Sequence, residues 1–331
     1  MENKIVQALE RFETVCENWL DAPGRMELVA PFAYVWHPDQ SLARLAKPVG
    51  LTLQAVTHGN EVGGIDVLLE CLRLLKQGLI QPRYPLGFVL GNIEAARANR
   101  RFVEKDLNRA FGVAANAKGE EQRARELEPL LERTQLFLDF HQTIEPTRQP
   151  FFIFPYNPRC YTFACALHDS IPIVTHWGGS FSKDGMCTDE YVNYRGGTGI
   201  TLELGQKGFD PYHTGVGLQV ALAAIQYGKW QCQGQTETHP PHVNTELYTW
   251  KAVIPFEEGM RLHEGLVNFQ ALKAGEELGR SGVHPLKAPA DGWLLFPKYP
   301  RDPMAAPPKE LYRILKRIKP DELGQAGVIG R

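Results

Sequence analysis

The chain has 331 residues, 43% of them hydrophobic and 22% charged, with a formal net charge of -2. Such a composition is ordinary for a soluble globular protein and supplies a substantial core, in one large or two modest domains. With no global basic field and no apolar run of membrane-span length, nucleic acid and membrane partners are disfavoured and a small molecule is favoured. The N-terminus (MENKIVQALERF) carries acidic residues and no continuous apolar stretch, so it does not read as a signal peptide. Cys16, Cys71, Cys160, Cys165, Cys187 and Cys232 form no C-x-x-C pair and read as ordinary thiols of a reducing compartment, the cytoplasm.

The pattern in chain order is that of an α/β protein. Residues 2–21 predict an amphipathic helix with Ile5, Leu9, Phe12, Cys16, Trp19 and Leu20 on one stripe, suited to packing or to contact between copies in a homo-oligomer. Residues 27–36 read as a strand broken at Pro31, and Leu51–Val56 as a buried strand. The spacing of Ile65, Leu68, Leu69, Leu72 and Leu75 predicts a helix. Gly87–Asn92 is another short strand, followed by a helical turn at residues 93–97 and an arginine-rich loop at 99–109. Residues 120–134 read as a charged helix. Strands are expected at 136–140, 151–154, 171–174 and 198–204, with helices at 161–167 and 216–227 and a long glycine-rich loop at 175–199. Alternating strands and helices imply a central sheet, largely parallel, flanked by helices. The polar stretch 231–244, with Pro240-Pro241, reads as a linker. Domains are therefore expected at 1–230 and 243–331, the second smaller, β-rich and similar in pattern to a barrel sandwich.

The chemistry gathers where strands end. His58 and Glu61 stand three apart at a strand-to-helix junction, so both can face one point and serve as ligands for a dication such as zinc. Gly59 permits a sharp turn there, and Gly63 and Gly64 a close backbone approach. His141 also ends a strand and supplies a third ligand, leaving a coordination position open, the arrangement of hydrolytic sites. Asp139, two residues earlier, is expected on the other side of the strand, with a role in orienting a ligand left open. Glu203, a carboxylate in an otherwise apolar strand, is the candidate proton shuttle. The loop holding Arg101, Asn108 and Arg109 offers guanidinium forks for carboxylates and oxyanions, and an amide for a further hydrogen bond.

Taken together, four motifs in order carry a resemblance. They are H-G-N-E (His58–Glu61), R-x(4)-D-L-N-R-x-F (Arg101–Phe111), D-F-H-x-T (Asp139–Thr143) and T-L-E-L-G (Thr201–Gly205). The set resembles the succinylglutamate desuccinylase/aspartoacylase family of the zinc carboxypeptidase fold group, over residues 50–228. The resemblance implies a mixed α/β sheet with a C-terminal β-rich domain, and one zinc per chain held by His58, Glu61 and His141. It implies Glu203 as general base and proton donor and Arg101 as the group that polarises the scissile carbonyl. Asn108 and Arg109 would hold a substrate carboxylate, and Arg195 a second one. The implied reaction is hydrolysis of the amide of a small N-acyl amino acid. The rival readings are a zinc carboxypeptidase acting on peptides and a non-catalytic metal-dependent binding protein.

Overall fold

A computed structural model describes residues 2–38, 48–113, 118–177, 185–232, 245–300 and 307–323. The chain runs through α1 (Glu2–Glu17), β1 (Arg25–Ala30), β2 (Ala33–His37), β3 (Val49–Ala55), α2 (Gly63–Lys76), β4 (Leu86–Leu90) and α3 (Ile93–Arg97). A 3-10 turn at Leu107–Arg109 precedes α4 (Gly119–Leu131) and β5 (Thr134–Thr143). Then come β6 (Phe151–Pro155), α5 (Pro158–Leu167), β7 (Ile173–His176), α6 (Thr188–Tyr194), β8 (Thr198–Gln206) and α7 (Pro211–Cys232). The C-terminal part is β9 (Leu247–Pro255), β10 (Met260–Leu262), β11 (Ala271–Leu272), β12 (Glu277–Ser281), β13 (His284–Lys287), β14 (Gly292–Leu295) and β15 (Glu310–Ile318).

Twelve strands form one mixed sheet in the order β1-β2-β4-β3-β5-β8-β6-β7-β9-β15-β14-β11. The segment β4-β3-β5-β8 is parallel, as the βαβ pattern requires. The strand expected at 27–36 is instead an antiparallel hairpin, β1 with β2, because Phe32 takes a left-handed φ of 56° after Pro31. β6 also runs antiparallel to β8, so the sheet is less parallel than its alternation implied. The C-terminal strands are not apart from this sheet. Leu247 and Tyr248 of β9 pair with Ile173 and Val174 of β7, and β15, β14 and β11 follow. Leu278, Leu294, Leu311 and Ile314 fill the core between these strands and the small sheet β10-β12-β13. Of the expected linker, residues 233–244 lie outside the described residues.

The alternation of side chains sorts the central strands into two faces. Leu51, Leu53, Ala55, Leu136, Leu138, Phe140, Ile200, Leu202 and Leu204 point into one core, under α1, α2, α5 and α7. Phe137 points to the other, under α4 and α6, with Leu127, Leu130, Tyr191 and Val192. The N-terminal helix ends at Glu17, short of residue 21: Trp19 is buried, but Leu20 is 76% exposed, because the chain turns away at Asp21 and Gly24, both with positive φ.

Candidate active site

The site lies at the carboxyl ends of β3, β5 and β8, where open α/β sheets gather their ligands. β3 stops at Ala55, and Val56 takes a left-handed φ of 62°, a strained conformation for a β-branched residue, which swings His58 inward. Gly59 then passes so close to α3 that a Cβ would lie 2.2 Å from the Ala95 carbonyl carbon. Close approach, more than the expected turn, therefore demands glycine there. The same holds at Gly64, where a Cβ would sit 2.7 Å from Ala55 Cβ and 2.8 Å from Phe140 Cβ. In β5, His141 stands opposite Glu203 of β8 in the parallel register.

These residues converge. His58 Nδ1 is 2.9 Å from Glu61 Oε1, and His141 Nδ1 is 3.2 Å from Glu61 Oε2. The two imidazoles stand 4.8 Å apart, nearly perpendicular. Among the described residues, His58, Glu61 and His141 form the one group able to hold a metal ion, their ligand atoms all within 4.8 Å of one another. All three are 3% exposed. Outer contacts hold each ligand: His58 Nε2 meets Asp106 Oδ1 at 3.1 Å, His141 Nε2 meets Asp139 Oδ2 at 2.9 Å, and the Gln142 backbone N–H donates to Glu61 Oε2 at 3.0 Å. Asp139 thus faces the same way as His141, contrary to expectation, because residues two apart on a strand share a face. Burial pushes Glu61 upward, but His58 and His141 hold it well below the usual carboxylate range. Burial opposes the charge on His141, and Asp139 more than offsets it, raising the imidazole well above its ordinary value.

Glu203 is 8% exposed, and its Oε2 is buried without a hydrogen-bond partner. Burial first, then the negative charge of Glu61, push its carboxyl up to about 7, the range of a proton carrier at neutral pH. Arg101 lies against the cluster. Its guanidinium donates to Glu61 Oε1 at 3.1 Å and Asp106 Oδ2 at 3.3 Å, and approaches His58 Nε2 to 2.7 Å. Asn108 accepts the Thr188 N–H at 3.0 Å, and Arg109 donates to Cys187 Sγ at 2.9 Å.

Arg101, Asn108, Arg109, the three candidate ligands and Glu203 line one cavity of about 170 Å³. Arg195 is not in it: it pairs with Glu132 at 2.6 Å. It precedes the start of β8 whereas Glu203 is near the strand's end, and five residues of strand span about 17 Å. Asp106, Cys187, Asp189, Lys298 and Arg313 belong to the site without having been singled out for it. Asp106 sits inside the R-x(4)-D-L-N-R motif, which was its signal. Lys298 follows β14 and Arg313 lies on β15, where no local pattern marks a charged residue as cavity-facing.

Residues 49–214 match the family model described as the succinylglutamate desuccinylase/aspartoacylase catalytic domain. The chain belongs to the succinylglutamate desuccinylase/aspartoacylase family of hydrolases. It is similar to the succinylglutamate desuccinylase of Serratia proteamaculans, with 30% identity over 288 residues, 79% of this chain and 85% of that one. Other desuccinylases align over shorter stretches, in one case 36% of their own length. In fold the chain is similar to the succinylglutamate desuccinylase of Vibrio parahaemolyticus, with a TM-score of 0.66 at 17% identity over 91% of this chain and 90% of that one. It is likewise similar to murine aminoacylase 3, with a TM-score of 0.58 at 17% identity over 83% and 97% of the two chains. The family's zinc-carboxypeptidase-like mixed sheet is the fold described above.

Proposed function

We propose that this family member is a zinc-dependent hydrolase of the amide bond of a small N-acyl amino acid, working in the cytoplasm with one zinc per chain. The observation that carries the reading is the convergence of His58 Nδ1, Glu61 and His141 Nδ1 beside Glu203 in one small cavity. The donor set fits zinc. His58 Nδ1 is buried and makes no hydrogen bond although it lies 2.9 Å from Glu61 Oε1, so both atoms have lone pairs available to a shared cation. Two imidazoles and one carboxylate would hold the ion and leave a position open. When bound, zinc supplies Lewis-acid polarisation and acidification of a water molecule.

The chain's own residues supply the rest. Glu203, with its carboxyl near neutrality, takes the proton from the attacking water and passes it to the leaving amine. Arg101, held by Asp106, brings positive charge to the oxyanion that develops on the carbonyl. Asn108 and Arg109 hold a substrate carboxylate. A cavity of about 170 Å³, walled by Phe296 and Lys298 from the segment after β14, suits a small molecule better than a peptide. The names of its relatives, succinylglutamate desuccinylases and an aminoacylase, support an N-acyl amino acid as substrate. The buried free thiols at Cys16, Cys71, Cys160, Cys165 and Cys187 support a reducing compartment.

The test is metal analysis of the purified protein joined to a hydrolysis screen of N-acyl amino acids and short peptides. The expected result is one zinc per chain and turnover of N-acyl amino acids that chelation abolishes. Preference for peptides overturns the substrate class. Tight binding without turnover across the acyl panel turns the reading into that of a binding protein.

A further inference from the structure

Behind the cavity wall, a buried chain of hydrogen bonds joins its two ends, and its centre, Gln54 with Thr57 and the Thr188 hydroxyl, has no role above. Gln54 of β3, fully buried, stands at its centre. Its Nε2 lies 2.7 Å from Thr57 Oγ1, 3.4 Å from Asp139 Oδ2 and 3.4 Å from Thr188 Oγ1. On one side the Thr57 hydroxyl donates to Asp139 at 3.0 Å (Oδ1) and 2.8 Å (Oδ2), and Asp139 Oδ2 meets His141 Nε2 at 2.9 Å. On the other, the Thr188 backbone N–H donates to Asn108 Oδ1 at 3.0 Å, with the Thr188 hydroxyl 3.5 Å from the same oxygen.

The directions of these bonds are forced. A carboxylate only accepts, so the single Thr57 hydroxyl proton goes to Asp139 and Thr57 Oγ1 can only accept from Gln54. The Gln54 amide must therefore turn its nitrogen, not its oxygen, to this point. Thr188 Oγ1, accepting from the same nitrogen, keeps its proton for Asn108 Oδ1. With its carbonyl oxygen engaged from behind, Asn108 has only its NH₂ donors left for the cavity it lines. At the other end, Asp139 accepts from His141 Nε2–H, so Nδ1 is the nitrogen that would give up its proton and offer a lone pair to a metal. Gln54 Oε1 meanwhile is buried with no hydrogen-bond partner. An apolar residue at 54 would remove that cost, so stability alone does not explain a glutamine there.

We infer that Gln54 is a positioning residue shared by both halves of the site. Through Thr57 and Asp139 it holds the tautomer of the candidate ligand His141, and through Thr188 it holds the donor that Asn108 presents to a substrate carboxylate. The inference rests on the roles proposed above for His141 and Asn108.

The test compares Thr57→Val, Thr188→Val and Gln54→Leu in the full chain, each first shown to fold by circular dichroism. Zinc affinity is read by competition with a chromophoric chelator. N-acetylglutamate binding to the zinc-loaded protein is read by calorimetry, beside KM and kcat for the best N-acyl amino acid. Thr57→Val is expected to weaken zinc roughly 10-fold or more while leaving N-acetylglutamate nearly unchanged. Thr188→Val is expected to weaken N-acetylglutamate and raise KM about 10-fold without moving zinc. Gln54→Leu should do both, and Thr57→Ser and Thr188→Ser should restore the parent values. The inference is overturned if Gln54→Leu moves only one readout or neither. It is equally overturned if Thr57→Val and Thr188→Val each move both alike, as general loosening would. A wild-type protein that neither binds N-acetylglutamate nor cleaves any N-acyl amino acid overturns the proposed function and with it the Asn108 half. In that case the zinc affinities of Thr57→Val and Gln54→Leu still decide the His141 half.

Discussion

The two faces of the central sheet come from the same strands yet differ in kind. Under α1, α2, α5 and α7, β5 and β8 show Leu136, Leu138, Phe140, Ile200, Leu202 and Leu204, all buried and all apolar. One residue over on each strand, the opposite face begins apolar at Phe137 but toward the carboxyl ends shows Asp139, His141, Thr201 and Glu203, all buried and all polar or titratable. Burying a charge is costly unless it is paired, so the second face spends stability that the first face provides. The difference shows that a two-residue period can place a dense core and a reactive cluster on one strand without either intruding on the other.

Substitutions on the two faces should therefore separate. The largest effect is expected at the polar face: Glu203→Gln should lower kcat by about two decades or more, with zinc content and KM nearly unchanged, as measured by steady-state kinetics beside metal analysis. Parent-like kcat in that variant would remove Glu203 from its role. On the apolar face, Leu138→Ala should cost about 3 kcal/mol of stability in denaturant unfolding, by cavity formation, and leave kcat close to the parent value. A large loss of kcat without a loss of stability would break the separation of faces.

Smaller effects sharpen it. Arg109→Ala should raise KM on the order of 10-fold through loss of a charge-assisted hydrogen bond, with kcat little changed. A fall in kcat at constant KM would assign Arg109 to the transition state instead. The smallest effect concerns Asp189, which lies on the polar side with Thr201 donating to it at 3.2 Å. Burial, then the charges of Glu190 and Asp139, push its carboxyl from 3.8 up to about 7. The folded protein thus binds a proton there that the unfolded chain has released, and stability falls as pH rises between those two values. Asp189→Asn removes that penalty. Its Tm should exceed the parent's by a few degrees at pH 8 and by clearly less at pH 5. An equal difference at both pH values would refute the assignment.

Much of this was legible in the residues themselves. The strand-to-helix junction at His58–Glu61, the strand ends at His141 and Glu203 and the arginine loop are local patterns, and short-range geometry fixes what a residue at a strand's end can face. The α/β alternation was equally readable, since hydrophobic period follows directly from backbone geometry. Local pattern does not carry strand direction and order, so the hairpin of β1 with β2, the reversed β6 and the joining of β9 to β7 appeared only in the fold. The resemblance implied Arg195 as a second carboxylate holder, but a motif match does not fix where a side chain ends up across a strand's length, and the fold sends it to Glu132. Gln54, Thr188 and Lys298 acquire their places only when segments more than 80 residues apart pack together. The sequence determined which side chains could do chemistry and on which elements they ride. Tertiary structure alone decided which of them share one buried space, because that depends on long-range strand pairing.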